Sequence, residues 1–193
     1  MRASLLLLAL SALTTATPLF GRSTPSLPTT DGPEQLPPPP PSLTLKHVTL
    51  GRGTQNYTCS AADPSAPPTQ VGALATLFDI TPLASLPLLS PLLAALPALA
   101  VNLPLPQGPA AGSIRYPGAG GYLVAGTHYF AADGTPVFEL DRAAGGREVL
   151  FAKRAAGVPA PKTASRGPSG SGAVAWLKLE DRGGSVGLRE VYR

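Results

Sequence analysis

Apolar and polar residues alternate through Leu43-Thr44-Leu45-Lys46-His47-Val48-Thr49-Leu50, the period of a half-buried strand. Gly51-Arg52-Gly53-Thr54 then reads as a turn, and Gln55-Asn56-Tyr57-Thr58-Cys59 as a second short strand entering a polar, proline-containing loop over 60–69. Residues 71–78 fit a strand or a first helix. From 80 to 114 there is no charged residue, and 83–101 is nearly all Leu, Ala and Pro. A membrane helix is the first thought there, but Pro82, Pro87, Pro91 and Pro97 each remove a helical hydrogen bond at about 3 kcal/mol in a helix interior. The pattern predicts short helical pieces, one over 90–100 with Pro91 near its start, in a buried or partner-covering segment.

Strand formers return after the glycine-rich stretch 112–121. Tyr122-Leu123-Val124 and Thr127-His128-Tyr129-Phe130 precede the turn Ala131-Ala132-Asp133-Gly134, and Val137-Phe138-Glu139-Leu140 completes a hairpin. Further strands are expected at 148–153, 173–179 and 188–192, with a Pro/Gly loop over 157–172 and a Gly183-Gly184 turn between the last two. Such spacing without a long amphipathic helix predicts a mainly β chain: a single β-sandwich or barrel-like domain with a short Pro-interrupted helical segment.

Composition adds compartment. Met1-Arg2-Ala3-Ser4, the apolar run 5–13 and the small residues Thr14-Thr15-Ala16 make residues 1–16 a secretory signal peptide, too short for the ~20 residues that span a bilayer. Residues 17–41, with five consecutive prolines from Pro37, form a Pro-rich linker of polyproline II character, which leaves 42–193 as the β-rich domain. The expected site of action is therefore extracellular. A net charge of +4 with scattered basic residues gives no nucleic-acid stripe.

The chemistry-bearing residues are few. With two histidines and one cysteine, no metal site and no cofactor are expected. Gly170-Ser171-Gly172-Ala173-Val174-Ala175 has the G-x-G-x-x-A spacing of a dinucleotide turn, but a strand rather than a helix is expected after it, so it reads as a loop. His128 is a candidate ligand contact, or a general base with Asp133 or Glu139 nearby. Tyr57, Tyr129, Trp176 and Tyr192 are candidates for an aromatic surface that stacks on sugar rings. Asn56-Tyr57-Thr58 is an N-glycosylation sequon, and Cys59 is open to a disulfide or a free-thiol role.

Ordered blocks carry a family resemblance: residues 43–48 with 51–59, then Gly126-Thr127-His128-Tyr129-Phe130 with Gly134-Thr135-Pro136, then Gly172-Ala173-Val174-Ala175-Trp176-Leu177 with Val191-Tyr192-Arg193. Together they resemble a secreted family of fungi and bacteria known as a domain of unknown function, whose fungal members are often labelled malate dehydrogenase. The resemblance covers 36–193 and implies a secreted, largely β domain without carried-over catalytic residues. Relatives place one cysteine shortly after the Asp79 equivalent, where this chain has Ile80-Thr81-Pro82, and another beyond the Val-Tyr-Arg block. The resemblance thus implies that Cys59 lacks both partners and that the sheet is short of its last strand.

The function expected from these readings is a non-catalytic module that contacts cell-wall polysaccharide or another extracellular polymer. The alternatives are a secreted enzyme using His128 with a nearby carboxylate, and a coat protein that self-associates through its apolar Pro-rich segment.

Overall fold

The computed structural model describes residues 24–102, 123–141, 146–167, 170 and 172–193. Tyr122 and the whole glycine-rich stretch 112–121 of the sequence reading lie outside them. Seven strands, β1 (Thr49–Thr58), β2 (Thr69–Asp79), β3 (Val124–Phe130), β4 (Pro136–Glu139), β5 (Val149–Val158), β6 (Trp176–Asp181) and β7 (Glu190–Tyr192), follow one another in a single sheet. Every strand pairs antiparallel with its neighbour in sequence. The sheet curls into a half-barrel, so of the sandwich and the barrel the pairing builds the barrel-like form.

One line of register sets the inside. Gly53 lies opposite Ala75, Ala75 opposite His128, His128 opposite Phe138, and Phe138 opposite Leu150. Because side chains alternate between faces, residues two apart along each strand share that face. The inner core gathers Leu77, Ala125, Phe138, Leu140, Leu150, Ala152, Leu179 and Leu188, with Leu177 and Val191 packed against it.

The structure corrects the sequence reading near β1. The alternation at 43–48 forms no strand; this stretch is held by side chains instead, and the ladder begins at Thr49. Gly51-Arg52-Gly53-Thr54 is strand interior rather than a turn. A Cβ on Gly53 would overlap the Leu74 carbonyl, so this glycine serves close approach of backbones. Elsewhere the turn chemistry reads as expected: Gly134 sits at φ 77° between β3 and β4, and Gly183 and Gly184 at 115° and 85° between β6 and β7. Residues 71–78 are strand, as one of the two readings had it. β5 runs on through a bulge between Arg154 and Ala156 into what reads as loop.

The helical pieces are α1 (Thr81–Ala84), a 3-10 turn at Pro87–Leu89, and α2 (Ser90–Ala100) with prolines in its first turn and at Pro97. Of the two readings, a buried or a partner-covering segment, burial within the chain is overturned: Leu88, Leu92 and Leu99 are exposed, and among the described side chains of the segment only Ala84 and Ala100 are buried. The end of α2 lies by the edge strand β1, with Pro97, Ala100 and Val101 beside Gly51, Arg52 and Gly53, and its prolines keep the helical pieces short. Among the described residues, no helix is long and apolar enough to cross a membrane.

The N-terminal segment lies against the sheet. Glu148 bonds both Lys46 and His47 at 2.6 Å, the Pro37 carbonyl accepts from the Tyr192 hydroxyl at 2.8 Å, and Val48 exchanges backbone and side-chain bonds with Ile80 and Thr81. Burial pushes the Glu148 carboxyl up, but its bonds to Lys46 and His47 outweigh this and hold it below the ordinary range.

A Cβ at Gly126 would overlap the Glu139 carbonyl, whereas one at Gly146 meets open space. Gly126→Ala is expected to cost about 1–3 kcal/mol through forced separation of β3 and β4. Gly146→Ala is expected to be near neutral. Denaturant melts of the two variants check the contrast; equal stabilities would refute the close approach.

Candidate polar mouth of the half-barrel

The inner face is apolar over most of its length and turns polar where β7 ends. Val191 points inward with Leu179, and period two therefore sends Arg193 inward as well. Its backbone is fixed by reciprocal hydrogen bonds with Leu177, at 2.7 and 3.0 Å. From there the guanidinium reaches two strands across the open side of the sheet. Nη1 stands 3.4 Å from His128 Nε2 on β3, and Nη2 donates to Gln55 Oε1 on β1 at 3.2 Å.

His128 is 5% exposed and its ring stacks on Phe138, with centroids 4.1 Å apart and planes 11° from parallel. Nδ1 lies 2.8 Å from the Val137 carbonyl. A carbonyl only accepts and a guanidinium only donates, so the two contacts together assign the neutral tautomer, with the proton on Nδ1 and the Nε2 lone pair toward Arg193. Burial pushes the His128 pKa down and the Arg193 charge adds to it, against the opposing pull of the Val137 carbonyl.

The carboxylates weighed as partners of His128 stand elsewhere. Asp133 is bound by Thr135 and, at 3.0 Å, by Arg182, while Glu139 is on the outer face, 3.5 Å from the Tyr129 hydroxyl. Alternation along β3 explains this, since adjacent residues His128 and Tyr129 point to opposite sides.

Arg193 carries the electrostatic weight of the mouth. It is half-buried, burial pushes its pKa down from the ordinary value, and the nearby Tyr57 phenol opposes that shift. The guanidinium remains charged. No carboxylate of the described residues lies within ion-pair distance of it. Beside it, Gln55 Nε2 is buried with no hydrogen-bond partner. A desolvated cation and an unsatisfied amide donor side by side form a site that favours an acceptor-rich, negatively charged group.

Of the sequence candidates, the structure brings Tyr57 and His128 to Arg193 and leaves the others apart. Trp176 lies on the outer face of β6 together with Lys178, opposite Tyr192 on β7, and Tyr129 is on the outer face of β3. The four aromatic residues therefore share no stacking surface. Asn56 is exposed on β1, and Cys59 is an exposed free thiol just after it. Among the described residues no group of His, Cys, Asp and Glu could hold a metal ion.

Three participants were not singled out by sequence reasoning. Gln55 and Arg193 sit inside the blocks that carry the family resemblance, and the inward alternation of Val191 is the signal that would have placed Arg193. Lys178 is the third. Only 8% of its side chain is exposed, between Glu190 at 3.3 Å and Glu180 at 3.5 Å, with its ammonium 5.8 Å from the Tyr192 ring centroid. Burial pushes its pKa down, but Glu190 and Tyr192 outweigh that and raise it. Its two carboxylates are already in place, so the three charges on this face are matched among themselves.

The model of a family described as "Protein of unknown function (DUF3455)" matches residues 39–193, and the chain belongs to that family. No curated protein and no solved structure matches the chain.

His128 has a folded-state pKa below its ordinary 6.5, so it binds fewer protons folded than unfolded as pH drops below that value. Stability conferred by the neutral ring is complete above the unfolded pKa and is lost as pH falls toward the folded one. Thermal melts from about pH 7 to about pH 5 should show a decline in the wild type that is shallower in His128→Gln. Parallel profiles would contradict the buried neutral imidazole.

Proposed function

We propose that this protein is a non-catalytic extracellular interaction module that holds an acidic group of a cell-wall or other extracellular polymer at the polar mouth of its half-barrel. The observation that carries the reading is the half-buried Arg193 guanidinium, which has no carboxylate partner among the described residues and lies next to the unsatisfied Gln55 amide. A carboxylate docking there supplies two acceptor oxygens to donors that are already desolvated and held by the sheet. Tyr57, 46% exposed at the same end of β1, offers a hydroxyl and a ring face at the entrance. The leader at 1–16 supports an extracellular setting.

The catalytic alternative fits less well. A general base needs a free lone pair, and the Nε2 lone pair of His128 faces a guanidinium while Nδ1 is spent on a carbonyl. His128 on this reading is a positioning residue that orients Arg193.

Affinity electrophoresis in gels containing polygalacturonate or neutral dextran tests the proposal. The wild type should be retarded by the acidic polymer alone, and Arg193→Gln should weaken that binding about tenfold or more, the worth of a lost charge-assisted contact. Arg193→Lys, which keeps the charge but not the planar fork, should fall between. Absence of retardation, or equal retardation of wild type and Arg193→Gln, would sink the proposal.

A further inference from the structure

The mouth has a neighbour along the same line of the sheet. Gly157 on β5 lies opposite Leu177 on β6, and Leu177 is the residue that exchanges hydrogen bonds with Arg193. At neighbouring-strand spacing, the backbone of Gly157 is about 10 Å from that of Arg193. At that end of β5 an open cleft of about 680 Å³ lies between the strand end and the Pro/Gly loop, lined by Arg154, Lys162 and Arg166 among Gly, Ala, Val and Pro.

The lining carries no carboxylate, and none of its cations is ion-paired with one among the described residues. Arg166 directs Nε and Nη2 to the Gly170 carbonyl at 3.4 and 3.3 Å, which orders its guanidinium across the loop. Arg154 lies over Gly157, whose missing side chain leaves room for it. A carboxylate does reach the rim, from far away in sequence: both Oδ atoms of Asp31 accept from the Lys162 backbone N–H, at 3.3 and 3.2 Å. The chain's own Pro-rich segment thus already seats an acidic group beside the cleft.

We propose that this cleft and the Arg193 mouth form one binding track for a run of carboxylates on an acidic polysaccharide, with Asp31 as the chain's internal stand-in for one of them. The inference rests on the mouth reading above for one end of the track and on the cleft's own geometry for the other. Several like charges spaced along an open surface suit a polymer bearing regular opposite charges, since each contact adds to an attachment that the others keep local. The shallow floor of Gly, Ala and Pro offers no deep apolar pocket for a peptide anchor, which favours a hydroxyl-rich chain over an acidic polypeptide.

Calorimetric titration of the full chain with polygalacturonate, monomeric galacturonate, polyglutamate and neutral dextran decides the matter, using wild type, Arg193→Gln and the triple variant Arg154→Gln/Lys162→Gln/Arg166→Gln. The triple variant should keep the wild-type melting temperature, bind polygalacturonate at least about tenfold more weakly, and bind the monomer as the wild type does. Arg193→Gln should lose affinity for monomer and polymer alike. Polymer affinity unchanged in the triple variant would overturn the cleft while leaving the mouth standing. Polymer binding that fails in the triple variant but survives in Arg193→Gln would overturn the mouth and the shared track, leaving a cleft that acts alone. Polyglutamate binding as tightly as polygalacturonate would overturn the choice of polysaccharide, and equal binding of dextran would overturn charge recognition altogether.

Discussion

The cross-strand line Gly53, Ala75, His128, Phe138 and Leu150 sets the inner face of the first five strands. With a side-chain period of two, a slip of one residue where β4 pairs with β3 or β5 would turn Phe138 or Leu150 out of the core. The small residues at one end of that line let β1 and β2 approach closely, and the large ones at the other fill the interior. The stacking of His128 on Phe138 lies where the two regimes meet. Core, curl and polar mouth all follow from this one alignment.

In this meander each strand pairs with its neighbours in sequence, so among the described residues β1 and β7 have one ladder partner each. In this protein a side chain spans the gap. Arg193 leaves β7 and touches β3 and β1 together, joining strands that share no ladder with its own. Such a bridge is electrostatically expensive, because it desolvates a cation without an anion to match. Neutral His128 can accept from the guanidinium but cannot neutralise it, and the Gln55 amide spends its oxygen there and leaves its nitrogen unsatisfied. Stability alone would be better served by an apolar residue or a true ion pair, and the contrast with Lys178, which has Glu180 on its own strand and Glu190 on β7 beside it, is the reason for proposing an acidic ligand at the mouth.

The N-terminal segment belongs to the same logic. It adds no strand, so its attachment depends on side chains that meet across more than a hundred residues: Lys46 and His47 on Glu148, Asp31 on Lys162, Tyr192 on Pro37. Proline-rich backbone, poor in N–H donors and stiff in φ, can follow a surface without competing for the ladder. Holding the segment this way places the Asp31 carboxylate at the edge of the basic cleft.

The local code was legible in the residues themselves. Alternation and turn glycines marked most of the strands, the recurring prolines kept the helical pieces short, and the absence of a long amphipathic helix pointed to a β architecture. These are properties of a chain interacting with itself over a few residues, and they survive without knowledge of the rest. Sequence pattern failed where long-range contacts overrode it: 43–48 alternates like a strand but is claimed by Glu148, and Gly51-Arg52-Gly53-Thr54 looks like a turn but is strand interior in which Gly53 serves backbone approach. The site was half visible. His128 and Tyr57 stood out by residue type, but a histidine takes its meaning from what faces each nitrogen, and only the curl of the sheet brings Arg193 to His128 across 65 residues and to Gln55 across 138. Charge pairing, burial and an unsatisfied amide are relations between distant residues, so tertiary structure alone decides them.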